Sequence, residues 1–358
     1  MIHTAELIKE ISEEEYKYIL SLVEKFEYRN NKAHIYALAE YGITDIEINR
    51  YIAQNSPTIT YYCKAIINLA RLSNDGKQEY RLFTDITDTG KLYKYFKKYM
   101  GVYLPYSSDL SEWRTRRIDY TVDIRTPLVE AHIRALQRGR KPPTMKIADN
   151  NQHKQERNRR HFKGSVRYHN KSTIINIYDK YFERECKQRE RQYTDIEELV
   201  KSQDVLRIEV QCLKSKTNYI KAKKRFEGKE IKHYLSQYAE IENIVLRAYT
   251  QIAGHANYYS YNRAKELIEQ SAINRRTQAI MTDVLALING NRGTRSVWKA
   301  ELKYNELYPN GIAFKTILKH FEEIGVNPVT LPKDVEFLPN LGQEITKYFD
   351  TLKKSTRT

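Results

Sequence analysis

Three short stretches carry residues whose types and spacing suit chemistry on a phosphate. In 117–124, RIDYTVDI, apolar and polar residues alternate, and side chains two apart share one face of a strand. Ile118, Tyr120, Val122 and Ile124 form one face, and Arg117, Asp119, Thr121 and Asp123 form the other. In 205–213, VLRIEVQCL, the apolar set Leu206, Ile208, Val210 and Cys212 opposes Arg207, Glu209 and Gln211. Each strand thus buries one face and presents acids on the other. As neighbours in one sheet, the two strands would bring Asp119 and Glu209 together, with Asp123 in support. Carboxylates on a rigid open face suit a hard cation, Mg²⁺ or Mn²⁺. Aspartate is depleted in strands, so two in one strand ask for a reason. The plain alternative is the wet face of a half-exposed sheet, with Asp119 and Glu209 paired to Arg207 and Arg117.

The third stretch is 172–185, STIINIYDKYFERE. An apolar strand ends on Tyr178, and Lys180, Tyr181 and Glu183 follow. A tyrosine hydroxyl has a pKa near 10 and is a poor nucleophile unless activated. A divalent ion would polarise a phosphate and stabilise the attacking and leaving oxygens. Lys180 would favour the phenolate or steady the phosphate charge. The chain has 29 tyrosines, so residue type alone does not single out Tyr178.

The elements that must position these residues follow from periodicity. Strands are expected over 2–10, 58–70, 117–124, 172–178 and 205–213, and helices over 13–26, 89–99 and 127–138. Ser12 and Glu15 make a capping box for the first helix. This order gives an α+β domain over 1–218, a central, mainly antiparallel sheet with helices on one face. Beyond 218 the runs 229–253, 260–272, 276–288, 294–304 and 312–324 have helical periodicity. They predict a mostly α-helical second domain over 219–358, a length of chain that suits two domains.

Lys and Arg outnumber Asp and Glu by 61 to 45, a net charge of +16 that favours a polyanionic partner. The excess concentrates in 134–171, with twelve Lys/Arg against Asp149 and Glu156. Arg138, Arg140, Lys141, Arg157, Arg159, Arg160, Lys163 and Arg167 are the expected DNA contacts there, joined by Arg117 and Arg207. A solvated basic loop is the alternative. The second basic run, 214–232, reads either as a backbone-tracking segment or as an exposed helical linker. Three dispersed cysteines, Cys63, Cys186 and Cys212, argue against a disulfide framework and a structural zinc site, and a reducing cytoplasm is expected. The first residues show no signal-peptide pattern, and no apolar run is long enough to span a membrane.

Taken in order, the three stretches resemble the rolling-circle replication initiators of the trans-acting plasmid type. They are also similar to filamentous-phage gene II-like replication proteins and to conjugative relaxases with the same nicking domain. The family's R-[LI]-D-x-x-x-D strand corresponds to Arg117-Ile118-Asp119 with Asp123. Its I-Y-x-K-x-x-E element corresponds to Ile177, Tyr178, Lys180 and Glu183, and its R-[VIF]-E-[VI] strand to Arg207-Ile208-Glu209-Val210. A weaker N-P-x-K-L element is echoed by 68–72, NLARL, with Leu69 and Arg71 at the departing positions. The metal-binding His-hydrophobic-His pair of the wider superfamily is missing. The resemblance covers roughly 1–215. It implies a nickase with Tyr178 as nucleophile, Asp119, Glu209 and Asp123 on a metal, and Tyr181 as the candidate second tyrosine. It further implies origin DNA as hairpin or single strand, and a host helicase and polymerase as partners. A homodimer is allowed. A relaxase, or a DNA-binding regulator without catalysis, are the alternative roles.

Overall fold

Alternation of apolar and polar residues builds one continuous sheet. A computed structural model describes residues 1–22, 27–29, 32–52, 59–77, 82–84, 89–147, 164–191, 194–290, 295–332 and 334–355. Its strands are β1 (Ile2–Ile11), β2 (Glu27–Arg29), β3 (Lys32–Ile35), β4 (Ile43–Ile52), β5 (Ile59–Asn68), β6 (Arg114–Arg125), β7 (Lys146–Ile147), β8 (Ser165–His169), β9 (Thr173–Asp179) and β10 (Val205–Cys212). Among the described residues these ten form a single sheet in the order β2-β3-β4-β5-β1-β6-β10-β9-β8-β7. Every pairing in it is antiparallel. The expected fold class, α+β around an antiparallel sheet with a helical C-terminal region, is therefore observed. The strands β2, β3, β4, β7 and β8 were not among the expected elements.

The helices are α1 (Glu13–Leu22), α2 (Leu69–Ser73), α3 (Gly90–Met100), α4 (Val129–Gln137), α5 (Lys180–Arg191), α6 (Ile196–Ser202), α7 (Lys214–Lys224), α8 (Ile231–Leu235) and α9 (Tyr238–Ala253). They continue with α10 (Tyr261–Glu269), α11 (Arg275–Gly290), α12 (Val297–Leu307), α13 (Phe314–Glu323) and α14 (Gly342–Ser355). None of the described helices is long and apolar enough to cross a membrane. A small two-stranded sheet joins β11 (Tyr258–Tyr259) to β12 (Phe337–Leu338).

Buried apolar side chains divide into two clusters. The larger joins the sheet's apolar face, including Tyr120, Val122, Ile177 and Ile208, to Tyr234, Ile241, Val245 and Phe349 of α8, α9 and α14. The smaller gathers Ala264, Met281, Leu285, Ala300 and Phe321 of α10 to α13. The division therefore does not fall at residue 218. Helices α7, α8, α9 and α14 complete the sheet's own core, because its apolar face must be covered. The Tyr120 hydroxyl donates to the Tyr234 carbonyl, 3.4 Å away, across this seam. The basic run at 214–232 accordingly begins as α7, whose Thr217 and Ile220 are buried.

Arg138 ties the two clusters together. Its Nη1 donates to Thr330 O at 2.9 Å, and its Nη2 to Ile288 O at 3.1 Å and to the Asn289 side chain. Arg140 pairs with Glu322 at 2.7 Å. Two expected DNA contacts are thus committed inside the protein, since half-buried guanidinium groups take carbonyl and carboxylate partners at hand. Charge-assisted hydrogen bonds contribute roughly 1.5–3 kcal/mol each, and their contributions do not add fully. Arg138→Ala is expected to cost about 2–4 kcal/mol in urea denaturation and to speed proteolysis within 258–338. Unchanged stability would remove Arg138 from the interface.

Candidate active site

The strand register sets the site. On β6 and β10, Asp123 lies opposite Arg207, Thr121 opposite Glu209, and Asp119 opposite Gln211. On β10 and β9, Arg207 lies opposite Tyr178 and Glu209 opposite Asn176. Cross-strand partners share a face. Asp119, Asp123, Arg207, Glu209 and Tyr178 therefore occupy one face of three adjacent strands. The three sequence stretches meet there, with Asp119 and Glu209 on a diagonal.

Strand β9 stops because Asp179 caps the next helix, its carboxylate accepting from the Phe182 N–H at 3.1 Å. Lys180 then opens α5, which packs against β9 and β10 at one end of the polar face. The Lys180 ammonium lies 3.1 Å from Asp123. Arg207 grips the same carboxylate with two bonds, Nε to Oδ1 at 2.6 Å and Nη2 to Oδ2 at 2.8 Å. Burial pushes Asp123 up, but Arg207 and Lys180 outweigh it and hold the carboxyl well below its usual range. Two expectations change here. Asp123 is occupied by cationic side chains and does not join a metal set. Arg207, 3% exposed, is buried against that acid.

Asp119 and Glu209 have other partners. Asp119 lies 3.0 Å from Arg117 Nε, accepts from the Thr4 hydroxyl, and keeps Oδ1 without a well-directed hydrogen bond. Arg117 also approaches Glu6 at 4.0 Å, so it positions carboxylates within the sheet. Glu209 accepts from Gln211 at 2.9 Å and contacts His3 Nδ1 at 3.1 Å. Burial and the neighbouring Glu209 push Asp119 up to about 7, against the pull of Arg117. Burial also pushes Glu209 up, but His3, Gln211 and Arg207 together bring it down to about 2. Burial lowers His3, against the raising pull of Glu209.

His3 and Thr4 were not found from the sequence. Between β1 and β6 the register passes from Ile2↔Tyr120 to Ala5↔Ile118, so β1 carries one residue more than β6. This bulge holds His3 and Thr4, and a bulge re-aims side chains beside a site. No periodic pattern in 2–11 marks it.

Among the described residues, no three His, Cys, Asp or Glu side chains are arranged as a metal-ligand set. The donor chemistry nevertheless fits a divalent ion at Asp119 and Glu209. Both are buried carboxylates on neighbouring strands, and Asp119, whose Oδ1 has Arg117 as its ion-pair partner but no well-directed hydrogen bond, has a raised pKa. Those two residues would hold the ion, with His3 as the nearest further donor.

Tyr178 is buried, and its hydroxyl is pushed well above 10 by burial and by Glu209, against the lowering pull of Arg207. It is a phenol at neutral pH. Tyr181 is half-buried on α5. Arg167 and Lys141 are exposed, the latter 5.9 Å over the Trp298 ring. Arg157, Arg159, Arg160 and Lys163 lie outside the described residues. Comparison with known proteins adds no relative: no family model, no curated protein and no solved structure matches the chain.

The raised Asp119 pKa has a definite sign. Its contribution to stability is fully present below the unfolded value near 3.9 and is lost as pH rises towards about 7. Asp119→Asn should remove that decline in denaturant titrations between pH 4 and 7. A cation there needs the ionised carboxylate, so Mn²⁺ should raise the melting temperature more at pH 8 than at pH 5.5. At a hundredfold excess over Kd the gain is about 2.7 kcal/mol. An equal Mn²⁺ shift in Asp119→Asn would place the ion elsewhere.

Proposed function

We propose that the protein nicks one strand of DNA by tyrosine transesterification. The observation that carries this reading is the position of Tyr178. It is the register partner of Arg207, on the face that also holds Asp119 and Glu209. The basic balance of the chain supports a nucleic-acid substrate.

In this reaction the Tyr178 oxygen bonds to phosphorus as the bond from phosphorus to the 3′ oxygen breaks. The phenol proton passes to the departing oxygen, leaving a 5′-phosphotyrosine and a free 3′-OH. One phosphodiester replaces another, so the step needs no ATP. Arg207 stabilises charge on the tyrosine oxygen, its own guanidinium fixed by Asp123. Burial brings Lys180 down to about 8, which leaves it mainly cationic at pH 7 beside Asp123. A divalent ion, Mg²⁺ or Mn²⁺, would supply positive charge to the phosphate and screen the acids that oppose tyrosine ionisation.

A free 3′-OH primes a polymerase, which makes a rolling-circle replication initiator the favoured role. Origin DNA, a host helicase and a host polymerase would be its partners. A conjugative relaxase would use the same chemistry for transfer.

The test is incubation with origin-bearing supercoiled DNA and Mn²⁺ or Mg²⁺. The expected product is a nicked circle with protein on the 5′ end. EDTA should abolish it, and Tyr178→Phe should bind DNA without forming the adduct. Binding with no nick in either metal would leave a non-enzymatic regulator. An adduct that survives Tyr178→Phe would move the nucleophile.

A further inference from the structure

A cavity of about 250 Å³ opens where β8 meets the start of α12. Ser165 and Arg167 line it from β8, and Arg295, Trp298 and Lys299 line it from the helical cluster. Ser165 is the register partner of Tyr178, which places the cavity one strand from the tyrosine. Among the described residues, β7 pairs with Tyr168 and His169.

Its charge is one-sided. Arg167, Arg295 and Lys299 line it, and among the described residues no acid does. Lys141 stands 5.9 Å from the Trp298 ring, and Lys299 stands 5.4 Å from it. Arg167, Arg295 and Lys299 are exposed, and their charges attract an anion. The half-buried indole adds a flat apolar surface on which a base can stack. At 250 Å³ the space falls just under the ~300–1,000 Å³ of drug-sized sites. It admits one base with its phosphate and no duplex.

We propose that this cavity is a single-strand subsite that holds one nucleotide beside the scissile phosphate. The base lies on Trp298, and its phosphate faces Arg167, Arg295 and Lys299. The placement next to Tyr178 rests on the nicking reading, while the binding of single-stranded DNA does not.

The experiment is titration of the intact protein with a short oligothymidylate in EDTA, so that no chemistry occurs, read by tryptophan fluorescence and by anisotropy of a labelled strand. Trp113, 1% exposed, is shielded, so quenching reports on Trp298. Saturable quenching is expected, absent in Trp298→Phe. Trp298→Ala should weaken binding roughly 5- to 100-fold, the range for removal of one base–aromatic stack. Arg167→Ala combined with Lys299→Ala should lower the slope of log K against log salt by roughly 0.7 for each phosphate that is no longer neutralised. Thermal melts of each variant separate weakened binding from unfolding. A quench that persists in Trp298→Phe, or variants that melt normally and bind with unchanged affinity and salt slope, would overturn the subsite. Tyr178→Phe should quench like the parent. Quenching without any nick in the metal assay would sink the nicking reading alone.

Discussion

The contact on which the site depends is the two-toothed ion pair between Arg207 and Asp123. Arg207 is 3% exposed, and a guanidinium so placed needs a well-aligned partner. Asp123 supplies it from the neighbouring strand with bonds of 2.6 and 2.8 Å. Removal of Asp123 would leave the buried Arg207 charge without its partner, which costs about 3–5 kcal/mol. That penalty pins the register of β6 on β10, because a slip of one residue would send every side chain to the other face. The register then places Arg207 opposite Tyr178 and brings Glu209 onto the diagonal from Asp119. Lys180 joins the same carboxylate, so the pair also fixes where α5 leaves the sheet.

What the sequence made legible was set by period. The two-residue alternation in 117–124 and 205–213 assigns faces without knowledge of partners, and the register keeps those faces, although the polar one is buried as well: Asp119, Thr121, Arg207 and Glu209 are all buried. The end of an apolar run at Tyr178 coincides with the end of β9. Strand order is a different matter, because adjacency in a sheet depends on pairings between distant segments. Nothing in 2–11 announces that β1 lies between β5 and β6, or that its bulge turns His3 and Thr4 onto Glu209 and Asp119. Asp123 and Asp119 look equivalent in the sequence. They differ only because Arg207 stands opposite one and Gln211 opposite the other.

The same limit explains the misplaced domain break. Helical periodicity beyond 218 is real, but period does not say which core a helix covers. Helices α7, α8 and α9 pack on the sheet that precedes them, and α14 returns to it after the helical cluster has been completed. The arginines of 134–171 show a related ambiguity. Composition counts Arg138 and Arg167 alike, yet Arg138 is drawn into carbonyl oxygens while Arg167 stays at the surface.

Charge is spread unevenly around the strands that carry the site. The centre of the polar face holds acids beside the tyrosine, and a phosphate approaching it bare would be repelled by Glu209 and Asp119. The cations of the cavity lie at the side, on β8 and α12, one strand beyond Tyr178. On the nicking reading, affinity and chemistry would thus be separated in space. Basic side chains and an indole would hold the strand, and a cation would meet Glu209 and Asp119, the latter already beside Arg117 at 3.0 Å. The separation follows from placing Arg167 on β8, towards the end of the sheet, and the acids on the central strands β6 and β10, where burial raises Asp119 and the Tyr178 phenol above their ordinary ionisation.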